Sequence, residues 1–130
     1  MAVRLLHLHL HGLFRSHDLE LGRDADTGGQ TLYVLDLVRS LALRPEVDQI
    51  DVVTRLISDP GVSDDYACRE ERISVGARIL RFPFGPRQYL RKELLWPHLE
   101  ELANQLIPVS YTHLRAHETG RTLVWRGLGE

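Results

Sequence analysis

One loop and its setting limit what this chain can fold into. The loop is Asp24-Ala25-Asp26-Thr27-Gly28-Gly29-Gln30, and it opens a helical pattern that runs from about Gly29 to Leu43. Asp26 and Thr27 are both good N-cap types, because a side-chain oxygen can accept from an amide left unpaired in the first turn. Gly28 and Gly29 carry no Cβ, so a ligand can come close to their amides. First-turn amides and the helix dipole together favour an anion. Such a loop suits a phosphate or a sugar carrying one, while a plain turn with a helix cap accounts equally well for the same residues.

The segments on either side set the topology. Val3 to Leu10 alternates Leu6, Leu8 and Leu10 with His7, His9 and His11, and a period of two indicates a strand. Gln49 to Thr54, with Ile50, Val52 and Val53, is β-branched and reads as a second strand. Strand, helix and strand in that order predict a parallel βαβ unit with a right-handed crossover. The expected fold is therefore α/β, a Rossmann-like parallel sheet with flanking helices. His11-Gly12 then falls at the carboxyl end of the first strand, where open α/β sheets bind ligands. Three histidines on one strand face raise the idea of a metal. Zinc ligands come more often from separate elements, so a partly covered face with satisfied histidines is expected instead.

Further along, Leu13 to Arg23 is a polar, charged connector, long against the roughly two to six residues usual for such loops. In the helix, Val34, Leu37, Val38 and Leu41 form an apolar stripe, Asp36 and Arg39 are spaced to pair, and Pro45 lies past its end. Ser58 to Glu71 reads as a loop excursion, and Ile73 to Phe82 as a third strand closed by Pro83-Phe84-Gly85-Pro86. Glu93 to Ile107 reads as a second helix, with Leu94, Leu95, Leu99, Leu102 and Leu106 as its stripe and Pro97 in its first turn.

Several classes are set aside. A formal net charge of −2 gives no reason to expect a nucleic-acid partner. The single cysteine, Cys68, cannot close a disulfide within the chain and fits a reducing cytosol. With no long apolar run and no signal-peptide pattern, a cytoplasmic protein without a membrane partner is expected. There is no G-x-G-x-x-G after the first strand and no Walker loop, so a dinucleotide reading is weak. No cofactor and no metal are expected.

The blocks HGL at His11, LELGRDADTGGQ from Leu19 to Gln30, DVVTR from Asp51 to Arg55, FGPR ending at Arg87 and KELLWPH from Lys92 to His98 resemble the sucrose-phosphate synthase family. Those enzymes are retaining glycosyltransferases of the two-domain GT-B type, and the likeness covers about Met1 to Ile107. ADTGGQ alone is shared with sucrose synthase and mannosylfructose-phosphate synthase; the combination with FGPR and KELLWPH is more specific. The resemblance implies transfer of glucose from UDP-glucose to fructose 6-phosphate, giving sucrose 6-phosphate. It implies that Gly28, Gly29 and Gln30 meet sugar and phosphate oxygens in the cleft. It also implies that Arg87, Arg91 and Lys92 lie in the segment supplying cationic phosphate contacts, Arg as a bidentate fork and Lys as a point charge. Many members of the family carry a lysine near Gln88, so which cation holds the phosphate stays open.

On this reading residues 1–108 are a truncated acceptor-side domain, the incomplete N-terminal half of a GT-B enzyme, and the chain by itself is inactive. No catalytic residue is assigned to it. Residues 109–130 match no part of the family and resemble one reading frame of a transposase-type sequencing adapter. They are expected to be a non-native tail, and the helical metal-ligand spacing of His113 and His117, with Glu118 beside them, is set aside with it. Two other readings stay open: a fragment of an enzyme resembling sucrose synthase or mannosylfructose-phosphate synthase, and a free-standing module that binds sugar phosphates.

Overall fold

The structure, a computed structural model, describes the backbone of residues 3–116 and 122–126 and the side chains of residues 3–108. In chain order it contains β1 (Val3–Leu8), α1 (Gly29–Ala42), β2 (Val47–Arg55), β3 (Glu70–Ser74), β4 (Ala77–Phe82), α2 (Leu99–Ala116) and β5 (Thr122–Arg126). The sheet order is β3-β4-β2-β1-β5. β1 pairs in parallel with both β2 and β5, and β2 in parallel with β4; β3 alone is antiparallel. The α/β fold expected from the sequence is what forms, but its sheet is mixed where a parallel one was expected.

Alternation along the strands feeds two apolar layers. On one face Ile50, Val52, Ala77 and Ile79 pack against Val34, Leu35 and Val38 of α1, with Phe14 of the connector. On the other, Leu6 and Val53 pack against Leu95, Leu102 and Leu106. A sheet covered on both faces needs apolar side chains on both, which is why β2 is continuously buried from Ile50 to Arg55.

Four expectations are corrected. The third strand is a hairpin: Val75 and Gly76 turn the chain between β3 and β4, and Gly76 adopts a φ of 81° that side chains rarely accept. The second helix begins later than Glu93. Lys92–Leu94 and Trp96–His98 form single 3₁₀ turns before α2 starts at Leu99, with Pro97, which has no amide to donate, in the first turn of the second. Leu94 consequently points outward at 47% exposure instead of joining the stripe. The Leu13 to Arg23 connector is not polar throughout, since Leu13 and Phe14 are buried. Arg39 donates to the Ser16 carbonyl at 2.6 Å, and among the described residues no ion pair joins it to Asp36.

The connector is held from the hairpin. Arg81, 1% exposed, donates to the Phe14 carbonyl at 2.9 Å and to Glu71 at 2.7 Å. Glu71 also accepts from the Ser16 amide and hydroxyl. The side chains of His113, His117 and Glu118 lie outside the described residues.

Candidate functional site

At the carboxyl ends of β1 and β2 three loops meet, and the glycine loop is the middle one. Gly12 has a φ of 81°, and a Cβ there would sit 2.3 Å from the Asp26 carbonyl oxygen. The turn after β1 therefore lies directly on the glycine loop. Leu13 N donates to Thr27 Oγ1 at 3.0 Å and fastens the two together.

Neither expected residue caps α1. The N-cap is Gly28, extended, with no side-chain hydrogen bond. Thr27 is turned inward and fully buried, its hydroxyl engaged by Leu13 and by Tyr89 Oη at 3.2 Å. Asp24 shapes the loop, accepting from the amides of Asp26 and Thr27 at 2.9 and 3.0 Å. Among the described residues the amides of Gly28, Gly29 and Gln30 have no protein acceptor. A Cβ placed on Gly28 or Gly29 would meet nothing within 4 Å. The protein itself thus does not require glycine at either position; open space lies above three unused donors at a helix N-terminus.

The cationic segment is brought to this loop from far along the chain. Tyr89 Oη donates to Asp24 Oδ1 at 2.8 Å, and Lys92 N donates to Asp26 Oδ2 at 2.8 Å. Arg87, Arg91 and Lys92 have exposed side chains, and none forms an ion pair among the described residues. Lys92 reaches the loop only through its backbone; Arg87 and Arg91 share the segment without touching the loop. The residues that hold the assembly together are Asp24, Thr27, Tyr89 and Arg55, none of which stood out in the sequence as a site residue. Arg55 Nη1 and Nη2 donate to the carbonyls of Pro86 and Gln88 at 2.5 and 2.7 Å. Burial pulls its pKa down, and Tyr89 partly offsets this. The signal that could have exposed it is a charged residue directly after the β-branched run Val52-Val53-Thr54.

The histidines are not all satisfied. His9 is 1% exposed, and among the described residues neither ring nitrogen has a hydrogen-bond partner. Its ring centroid lies 5.6 Å from that of His11 and 5.1 Å from that of Phe14. Burial, reinforced by His11 and His7, pulls its pKa from 6.5 to about 3. Among the described residues no group of three metal-ligating side chains comes together. A small cavity of about 110 Å³, lined by Gln49, Glu70, Arg72, Ala77 and Arg78, lies at the amino ends of β2 and β4, away from these loops.

A parallel sheet with a glycine loop opening its first helix, and a cationic segment fastened beside that loop, defines a Rossmann-like domain with its ligand face at the strand ends. Over residues 1–117 the chain matches the family described as the sucrose synthase first GT-B domain. The chain belongs to that family. Among curated relatives, it is 46% identical over 110 residues to "Probable sucrose-phosphate synthase 1" of Oryza sativa subsp. indica, covering 75% of this chain and 10% of that protein. It is 43% identical over 112 residues to "Sucrose-phosphate synthase" of Spinacia oleracea, covering 75% and 11%. With "Probable sucrose-phosphate synthase 5" of Oryza sativa subsp. japonica it shares 41% over 140 residues, covering 95% and 13%. The chain thus spans about a tenth of the length of these relatives. Among the described residues no helix is long and apolar enough to cross a membrane.

Proposed function

We propose that this chain is the acceptor-side part of a cytoplasmic sucrose-forming glycosyltransferase. The intact enzyme transfers glucose from UDP-glucose to fructose 6-phosphate, with retention, and gives sucrose 6-phosphate. Gly28, Gly29 and Gln30 meet the sugar, and Arg87, Arg91 and Lys92 supply the charge that draws its phosphate. The observation carrying this reading is the fastening of the cation-bearing segment against an open glycine loop, through Tyr89 and the Lys92 amide. Three exposed cations without carboxylate partners suit a dianion.

The test is kinetic. Residues 3–108 are grafted in place of the matching stretch of the full-length spinach relative, and each substrate is varied in turn. Arg87→Ala or Lys92→Ala raises KM for fructose 6-phosphate and leaves KM for UDP-glucose nearly unchanged. A charge-assisted contact is worth roughly 1.5–3 kcal/mol, so the rise is on the order of tenfold to a hundredfold. Equal effects on both substrates would leave the cations as solvated surface and sink the reading. A second reading, in which free fructose is the acceptor, is favoured by the family's description as sucrose synthase; a graft that prefers fructose to its 6-phosphate would decide for it.

The 130-residue chain alone, mixed with UDP-glucose and fructose 6-phosphate, releases no UDP above blank. Retaining transfer needs donors aimed at the leaving diphosphate, and in this reading they belong to the other domain. Turnover at an enzyme-like rate would overturn the assignment. Residues 109–130 are, on the same reading, a non-native tail after an acceptor-side domain of residues 1–108. Genomic reads across codon 108 that continue unchanged into codons 109–130 would refute that division.

A further inference from the structure

Arg55 ends a strand whose last six residues are all buried, and it is itself 3% exposed. A guanidinium so placed has lost its water and ordinarily gains a carboxylate in return. Among the described residues Arg55 has none. Its two terminal nitrogens instead take the Pro86 and Gln88 carbonyls, on either side of Arg87. The Arg87 carbonyl accepts from Ser58 N at 2.8 Å, and Tyr89 N donates to Asp59 Oδ2 at 3.0 Å. Four consecutive residues, 86 to 89, are therefore held through their backbones by the stretch that leaves β2. Side chains of the segment remain outside this grip: Arg87 is exposed and unpaired.

We propose that Arg55 is a positioning residue for the acceptor's phosphate. It fixes the backbone from which Arg87 projects and so sets where that cation meets an anion. The inference rests on the acceptor reading above for the identity of the anion. A planar fork holds two carbonyls in one fixed geometry; an ammonium at this position is a point charge on a flexible stem with rotatable donors and fixes them less firmly. The positive charge itself, buried and uncompensated by a carboxylate, adds to the potential felt by an anion at the segment.

The test uses the full 130-residue chain, labelled for backbone amide spectroscopy, as wild type, Arg55→Lys and Arg55→Gln. Two quantities are read. One is hydrogen exchange of the Tyr89 and Lys92 amides, with β1 and β2 amides as the check that the fold stands. The other is the dissociation constant for fructose 6-phosphate, for inorganic phosphate and for fructose. In Arg55→Lys the β1 and β2 amides stay protected, the Tyr89 amide exchanges at least tenfold faster, and fructose 6-phosphate and phosphate bind about tenfold more weakly. Fructose binding is unchanged, which a loss of general packing would not produce. If Arg55→Lys loses its fold, Arg55→Gln, neutral and able to reach one carbonyl, decides by the same readings. Unchanged exchange and unchanged phosphate affinity in a folded variant overturn the proposal and leave the acceptor reading intact. A wild-type chain that binds neither phosphate nor its sugar ester overturns the acceptor reading, and with it the phosphate role of Arg55.

Discussion

Valine in place of Gly28 leaves the chain folded, at no more than the roughly 1 kcal/mol of a poorer N-cap, and abolishes glucosyl transfer in the grafted full-length enzyme. The two halves of this expectation come from one geometric fact. Gly28 has an extended φ of −122°, which any residue adopts, and a Cβ there meets no protein atom within 4 Å. Glycine is needed at that position only if something outside the chain comes close. A branched side chain would then fill the space over the Gly28, Gly29 and Gln30 amides and bar a sugar phosphate from them. Gly12→Ala is the contrasting case. Its φ of 81° and a Cβ 2.3 Å from the Asp26 oxygen make the substitution strained and clashing, at a cost of at least roughly 1–3 kcal/mol for the backbone alone. Urea unfolding of the 130-residue variants separates the two: the midpoint falls far for Gly12→Ala and little for Gly28→Val. Full activity in the Gly28→Val graft would show that nothing approaches this loop.

Acid begins to weaken the chain before its carboxylates are lost, because of His9. In the unfolded chain this imidazole takes a proton near pH 6.5, whereas the folded site resists it until about pH 3. Between those values the unfolded state binds more protons, so stability falls as pH drops and is complete only above 6.5. At about 1.4 kcal/mol per pKa unit the loss reaches several kcal/mol, a large part of what a domain of this size possesses. Glu71 contributes separately and lower down. Burial raises its pKa, but hydrogen bonds from Ser16 and Arg81 outweigh this and hold it below the usual carboxylate range. Unfolding free energies of wild type and His9→Leu, measured from pH 7 to 4.5, isolate the histidine: the wild type slopes downward with falling pH more steeply than the variant, and the gap opens below pH 6.5. Parallel curves would mean that His9 is solvated or paired in solution.

The βαβ order and the glycine loop were legible because each rests on local chemistry: period-two alternation, a helical stripe, residues without a Cβ. The hairpin of β3 and β4 was not, since Ile73 to Phe82 is apolar enough to read as one strand and only Gly76 marks the reversal. Pro97 was seen, but the 3₁₀ turn that holds it, separate from the helix that begins at Leu99, was not. The inward turn of Thr27 illustrates a different limit. Its hydroxyl had a good local use as a cap, and tertiary partners, Leu13 N and Tyr89 Oη, outbid it. Arg55 and Arg81 were invisible as framework residues, because a charge in sequence signals solvent, and only the assembled fold shows carbonyls waiting for it.

The phenol of Tyr89 reaches Asp24 and Thr27 from a segment more than sixty residues later. Segments joined in this way are not interchangeable parts. Exchanging residues 86–92 for a stretch from another sugar transferase without a tyrosine at this place, to change the acceptor it takes, would remove the phenol from Asp24 and Thr27 and leave the glycine loop tied to the segment by one backbone amide. A working transplant must carry the glycine loop along with the cationic stretch, and divergence in acceptor choice across such domains should leave paired changes at both places.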